Sequence, residues 1–207
     1  MALVKSIAFV DGENLTLRYQ ALIREGRQPK PGTAHIPDVF VWQPNISRLV
    51  INTDIIRISY YTSMVGDDDA LAATKKSIAS NYYSMAGDFY GPCQLHPRVY
   101  KKLNKSTKSR LVDINIAIDV TRHAYNNSVD VVYLFSGDGD FVNLVEDAGR
   151  SGKRICVAAF SSGLDQRLPV VADRFFVLDD LYFEPVTIAT EALGGEAMIP
   201  GDPKTDA

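Results

Sequence analysis

Apolar and polar positions along the chain follow two patterns that alternate. Continuous apolar runs, typical of strands buried on both faces, cover residues 3–10, 131–135 and 153–160. Between them lie stretches whose apolar positions are three or four residues apart, which is the spacing of an amphipathic helix. This repeated order of strand, turn and helix predicts an α/β domain with helices on both faces of a mostly parallel sheet.

The same patterns place the remaining elements. We predict helices over about residues 15–25, 45–51, 67–85, 113–125, 141–148 and 164–172. Further strands are expected over 54–62, 93–103 and 174–178, with Pro97 favouring a sheet edge for the second of these. The aromatic segment 39–42 is expected to be a short strand or a lid. We assign residues 1–185 to one domain and 186–207 to a poorly ordered tail.

Acidic residues stand where buried strands end. Asp11 follows the first strand, and Asp138 and Asp140 follow the strand 131–135. Ligands of open parallel sheets bind outside the carboxyl ends of the strands, so these positions favour chemistry. Because Asp is also a preferred helix N-cap, capping alone is the alternative, and it is strongest for Asp140. Asp113, in the first turn of a predicted helix, brings acid from a third segment.

Carboxylates gathered in one cleft repel one another unless a cation lies among them. Oxygen ligands with open positions suit Mg²⁺ or Mn²⁺, which can activate water and stabilise charge on a phosphoryl group. We therefore expect a divalent metal at these acids. The chain contains no GxxxxGK[ST] loop and no GxGxxG, which disfavours a nucleoside-triphosphate or NAD site.

Charge and cysteine content bear on the binding partners and the cellular compartment of the protein. The formal net charge of −3 gives no general signal for nucleic-acid binding. One dense basic cluster, either a solvated loop or a phosphate-binding surface, comprises Lys101, Lys102, Lys105, Lys108 and Arg110. Cys156 is expected to be a buried free thiol. We see no signal peptide and no membrane-length apolar run, so we expect a reducing cytosol and no membrane contact.

Three motifs resemble those of a known family. Residues 7–14 (IAFVDGEN), 112–119 (VDINIAID) and 135–141 (FSGDGDF) are similar, in this order, to the NYN domain of the LabA type, formerly DUF88. That type lies within the PIN-like nucleases, and the resemblance covers about residues 3–180. It implies a PIN-like three-layer α/β/α sandwich, a Mg²⁺ or Mn²⁺ site and hydrolysis of RNA phosphodiester bonds.

The resemblance also implies roles for single residues. Asp11, Asp113 and Asp138 match the metal-binding acids of the family, and Asp140 matches its accessory acid. Asn14 matches a polar residue that helps to place the metal or the phosphate. The family often has a lysine shortly before the helical acid, and this chain has Arg110 at that position.

Three functions stay open at this point. The first is a metal-dependent endoribonuclease whose basic cluster grips the RNA backbone, and the intact acids favour it because a pure binder gains nothing from carboxylates that face a polyanion. The second is a non-catalytic regulatory or RNA-binding module, which the acidic net charge favours. The third is a metal-dependent phosphoesterase acting on a small substrate. A homodimer is also left open.

Overall fold

The computed structural model of the protein describes residues 4–49, 53–83, 93–104 and 110–185. The predicted tail, Lys105 and Lys108 therefore lie outside the described residues. The strands are β1 (Val4–Asp11), β2 (Ala34–Ile36), β3 (Phe40–Trp42), β4 (Thr53–Met64), β5 (Tyr82–Tyr83), β6 (Cys93–Gln94), β7 (His96–Lys101), β8 (Val131–Phe135), β9 (Arg154–Ala159) and β10 (Arg174–Val177). The α-helices are α1 (Gly12–Arg24), α2 (Asp68–Ala79), α3 (Arg110–Tyr125), α4 (Val142–Arg150), α5 (Leu168–Val171) and α6 (Asp179–Tyr182).

Six strands form one parallel sheet in the order β10-β9-β8-β1-β4-β7. The predicted parallel sheet is confirmed, and β7 lies at its edge as Pro97 suggested. Since β1 lies between β4 and β8, the chain leaves β1 towards one side of the sheet and later returns on the other side. Such a reversal of strand order opens a crevice at the carboxyl ends of the strands, which is where ligands bind in this class of fold.

Two hydrophobic clusters, one on each face of the sheet, complete the three layers. Successive β1 residues point to opposite faces, so Ala8 and Val10 pack in one cluster while Ile7 and Phe9 pack in the other. Helices α1 and α2 and the β2–β3 pair cover the first face. Helices α3, α4 and α5 cover the second. The predicted three-layer α/β/α sandwich is confirmed.

Several predicted bounds are wrong for local reasons. The helix expected over 67–85 ends at Ala79, because the side chains of Ser80 and Asn81 both donate to the carbonyl of Ser77. The segment expected over 45–51 is a 3₁₀ helix, Pro44–Arg48.

The structure also bears on expectations for the segment 39–42, the helix 164–172, Cys156 and membrane spans. The segment 39–42 contains the short strand β3, whose three residues are fully buried, so it is core and not a lid. The helix expected over 164–172 shortens to α5. Cys156 is a buried free thiol, as expected. None of the helices within the described residues is long and apolar enough to cross a membrane.

Candidate active site

A cavity of about 630 Å³ opens at the carboxyl ends of the central strands. Of the residues predicted for the site, it is lined by Asp11, Asn14, Asp113, Asp138 and Lys102. They come from the end of β1, the first turns of α1 and α3, and the segments that follow β8 and β7. The strand order thus brings Asp11 together with Asp113 and Asp138, which follow it by more than a hundred residues in the sequence.

Asp11 is the most buried of these acids, with 2% of its surface exposed. One carboxylate oxygen accepts the backbone N–H of Asn14 at 3.1 Å, and the other accepts the hydroxyl of Ser136 at 2.8 Å. Asp11 is therefore both the N-cap of α1 and a wall of the cavity. Burial raises its pKa to about 7, with smaller contributions from the charges of Asp113 and Glu13, against the two hydrogen bonds.

The loop after β8 is held in place by side chains of α1 and of the loop itself. The Asn14 amide oxygen accepts the N–H of Gly137 at 3.0 Å, and the Ser136 hydroxyl accepts the N–H of Asp138 at 3.1 Å. Asp138 in turn accepts the N–H of Asp140 at 3.0 Å and caps the 3₁₀ turn Gly139–Phe141. The capping role expected mainly for Asp140 therefore belongs to Asp138, because the first helical turn begins one residue after it.

Asp140 does not line the cavity, and its side chain is exposed. Its charge acts instead on Arg167, which is paired with Asp165 at 2.6 Å. The hydrogen bond and charge of Asp165 raise the pKa of Arg167, and the charge of Asp140 adds to the effect. Asp140 thus lies next to Asp138, which lines the cavity, but its own side chain is outside the lining.

The basic cluster divides in the structure. Lys102 lines the cavity, whereas the exposed Lys101 forms an ion pair with Asp68 of α2 at 3.5 Å. Arg110 is the first residue of α3, exposed and outside the cavity lining. Of the described members of the cluster, Lys102 alone is placed to meet a ligand in the cavity.

The family model of the NYN domain matches residues 5–179. The chain belongs to the NYN domain family. Its structure is similar to that of a protein of unknown function from Vibrio parahaemolyticus, with a TM-score of 0.58 and 19% identity over 87% of this chain and 96% of that one. At this identity the likeness shows the fold alone.

Two further comparisons add no function. A Parabacteroides merdae structure assigned as an oxidoreductase is 11% identical over 84% of this chain and 31% of that one. Its TM-score of 0.31 is too low to indicate a shared fold. No curated protein matches the chain.

Glu13 is a site residue of this NYN domain that sequence reasoning missed. It lines the cavity, accepts the hydroxyl of Ser63 and forms an ion pair with Lys102 at 3.4 Å. The side chains of Lys102 and Glu13 are only 15% and 18% exposed, respectively, so this pair is largely buried. The signal in the sequence was its place two residues after Asp11 in the first motif.

Gly12 sets the approach of α1 to the sheet. A Cβ atom at this position would overlap the ring of Tyr60 and lie 2.7 Å from the carbonyl oxygen of Tyr61. Only glycine therefore lets the N-terminus of α1 come this close to β4, with Asp11 on one side of the contact and Glu13 on the other.

The donor set of the NYN cavity suits a hard cation, because carboxylate and amide oxygens are the ligands that Mg²⁺ and Mn²⁺ prefer. The spacing is less favourable. Within the described ranges, no three His, Cys, Asp or Glu side chains are arranged closely enough to hold a metal ion. The oxygens of Asp11 are already engaged by Asn14 and Ser136, although each retains a further lone pair.

Proposed function

We propose that this NYN domain is a metal-dependent endoribonuclease of the LabA (DUF88) type, within the PIN-like superfamily, and that it hydrolyses RNA phosphodiester bonds. The observation that supports this most is that Asp11, Asp113 and Asp138 line one cavity at the reversal of strand order. The raised pKa of Asp11 supports it too, because perturbed carboxyl groups in a cleft are typical of functional sites.

In this proposal Asp11, Asp113 and Asp138 hold Mg²⁺ or Mn²⁺, and Asp140 acts as an accessory acid. A divalent ion bound there supplies Lewis acidity, which favours ionisation of water and offsets charge on the phosphoryl group. Because the described acids are not at ligating spacing, the proposal requires the carboxylates of Asp113 and Asp138 to move towards Asp11 when the ion binds. Both are only partly buried, so they have room to do so.

In this proposal the other residues fix the position of the loop that carries Asp138 and offset charge in the cavity. Asn14 holds the backbone of Gly137, and Ser136 holds both Asp11 and the N–H of Asp138, so these two side chains fix the loop that carries Asp138. Lys102 offsets the charge of Glu13 and lies where it can also contact a phosphate of the RNA.

A cleavage screen tests the proposal. Single-stranded, structured and transfer RNAs are incubated with the protein and Mn²⁺, Mg²⁺ or chelator. We expect cleavage that chelator abolishes and that Asp138→Asn lowers by at least about 10–100-fold, the loss that follows even from mutation of a residue that only orients a metal ligand. Asp68→Asn removes a charge from exposed α2 and is the matched control. Activity that survives in both chelator and Asp138→Asn would contradict the proposal.

Two other functions have one supporting observation each. A non-catalytic RNA-binding module is favoured by the spacing of the described acids, and it predicts RNA binding without cleavage under any metal. A phosphoesterase on a small substrate is favoured by the size of the cavity, and it predicts hydrolysis of nucleoside monophosphates in preference to RNA.

A further inference from the structure

The cavity has an apolar half that phosphodiester hydrolysis alone does not explain. Beside the acids, its wall includes Leu17, Val39, Met64 and Val65. Leu17 and Val65 are 54% and 44% exposed, so these two apolar side chains face solvent where the cavity opens. Exposed apolar surface that continues into a cavity is typical of a binding site for a ligand with an apolar face.

Arg18 adds a cation to the same wall. It lines the cavity, and its guanidinium packs over Gly163, where a Cβ atom would overlap it. Its Nε is buried and has no hydrogen-bond partner among the described residues. A buried N–H without a partner is destabilising, so the Nε of Arg18 contributes no hydrogen bond to the stability of the fold. A guanidinium kept at a cavity wall in this way is suited to bind an anion such as phosphate.

Helix α1 links the two halves of the cavity. Asn14 and Arg18 are four residues apart, as are Glu13 and Leu17, so each pair lies on one face of the helix and roughly 6 Å apart along its axis. Leu17 and Arg18 thus lie about one helical turn from Glu13 and Asn14, which line the same cavity as the acids. The cavity volume of about 630 Å³ lies within the range of roughly 300–1,000 Å³ that holds small ligands.

We propose that the cavity takes up one unstacked nucleotide of the RNA chain, next to the phosphodiester bond that is cleaved. Its base lies against Leu17 and Val65, and the phosphate that flanks it binds Arg18. Gln20 and Asp38, hydrogen-bonded to each other at the cavity wall, offer polar groups to the edge of the base. This inference rests on the proposed function, and it narrows the substrate to single-stranded or looped RNA, because a paired base must first leave its stack.

Binding of adenosine 5′-monophosphate tests the site without cleavage. Calorimetry compares it with ribose 5-phosphate, which lacks the base, in the presence of Mn²⁺. We expect the parent protein to prefer the nucleotide by about tenfold, as burial of part of an aliphatic side chain against the base predicts. Leu17→Ser should remove this preference. The matched control is Ile118→Ser, since Ile118 is a 48% exposed aliphatic residue on α3 outside the cavity lining.

The Arg18 contact is tested in the same assay. Arg18→Gln should weaken both ligands about equally, and Arg18→Lys should restore part of the affinity, because it keeps the charge that binds phosphate. Melting curves show whether each variant is folded. Equal affinity for the nucleotide and ribose 5-phosphate in the parent, or an unchanged preference in Leu17→Ser, would overturn the inference.

Cleavage separates this inference from the ribonuclease proposal. The parent should cut a single-stranded RNA faster than the same sequence in a duplex, and Leu17→Ser should reduce the difference. If the parent cuts both forms equally, the nucleotide site is contradicted while the ribonuclease proposal stands. If it binds the nucleotide through Leu17 and Arg18 but cuts no RNA, the site is supported while the ribonuclease proposal fails.

Discussion

At the scale of single residues, Asp11 has two roles at once. It caps α1 and it is buried in the wall of the cavity, with a pKa of about 7 that results chiefly from burial. The sequence showed the strand end and the acid, and either role could be inferred from that. It could not show that both apply, because this depends on Ser136, 125 residues away, donating to the same carboxylate.

The raised pKa of Asp11 predicts how stability changes with pH. The folded state holds this proton more tightly than the unfolded state, whose pKa is near 3.8. The contribution of Asp11 to the free energy of unfolding is therefore fully present below about pH 4. As the pH rises towards 7, up to roughly 4 kcal/mol of this contribution is lost. Denaturation in chelator across this range should show a shallower fall for Asp11→Asn than for the parent. Identical slopes would show that Asp11 is ionised throughout.

Asp138 offers a second test, since capping and metal binding can now be separated. Asn keeps an oxygen that can accept the N–H of Asp140, whereas Ala does not. We expect Asp138→Asn to leave the metal-free melting temperature unchanged or raised, and Asp138→Ala to lose about 1 kcal/mol of stability. In the parent, Mn²⁺ at 100 times its Kd should add about 2.7 kcal/mol, and both variants should lose most of that gain. A full metal response in Asp138→Asn would rule out a ligand role.

At the scale of elements, the contact between the start of α1 and β4 depends on Gly12. Gly12→Ala should lower the free energy of unfolding by about 1–3 kcal/mol, because the new Cβ would displace Tyr60 or the backbone of Tyr61. Gly149→Ala is the matched control: it lies in α4 with no atom within 4 Å of the added Cβ. The control should be neutral or stabilised by up to about 1 kcal/mol. Urea denaturation measures both, and equal effects would contradict the close approach.

Elements with a strong pattern were predictable and weakly patterned ones were not. The strand Val131–Phe135 is buried along its whole length, so its apolar run was visible without any context. Ala34–Ile36 is a strand only because it pairs with Phe40–Trp42, and three residues between prolines and glycines give no such signal. The early end of α2 likewise depends on two side-chain hydrogen bonds, which periodicity does not register.

At the scale of the whole molecule, the sheet order decides which residues form the site. Apolar runs indicate that strands exist, but not that β1 lies between β4 and β8. The ends of two predicted strands and the start of a predicted helix suggested a shared site for Asp11, Asp113 and Asp138, and the motif resemblance then implied a common role for them. The resemblance gave no information about the apolar wall of the cavity, because Val39 and Val65 come from segments outside the three motifs. That Asp11, Asp113 and Asp138 line one cavity was therefore predictable, whereas the exposed position of Asp140 and the shape of the cavity were not. The domain bounds 1–185 stay a prediction.

The division of the basic cluster predicts a difference between two neighbouring lysines in RNA binding. Lys102 lines the cavity beside Glu13, whereas Lys101 is paired with Asp68 on α2. If RNA enters the cavity, Lys102→Gln should weaken its binding and flatten the dependence of log K on log salt by about 0.7, the contribution of one contact to a single strand. Fluorescence anisotropy in chelator measures this slope without cleavage. Lys101→Gln removes the same charge one residue away and should leave the slope unchanged, since that side chain faces a different helix. Equal changes of the salt slope in both variants would mean that the RNA binds to the overall positive charge of this loop and does not enter the cavity.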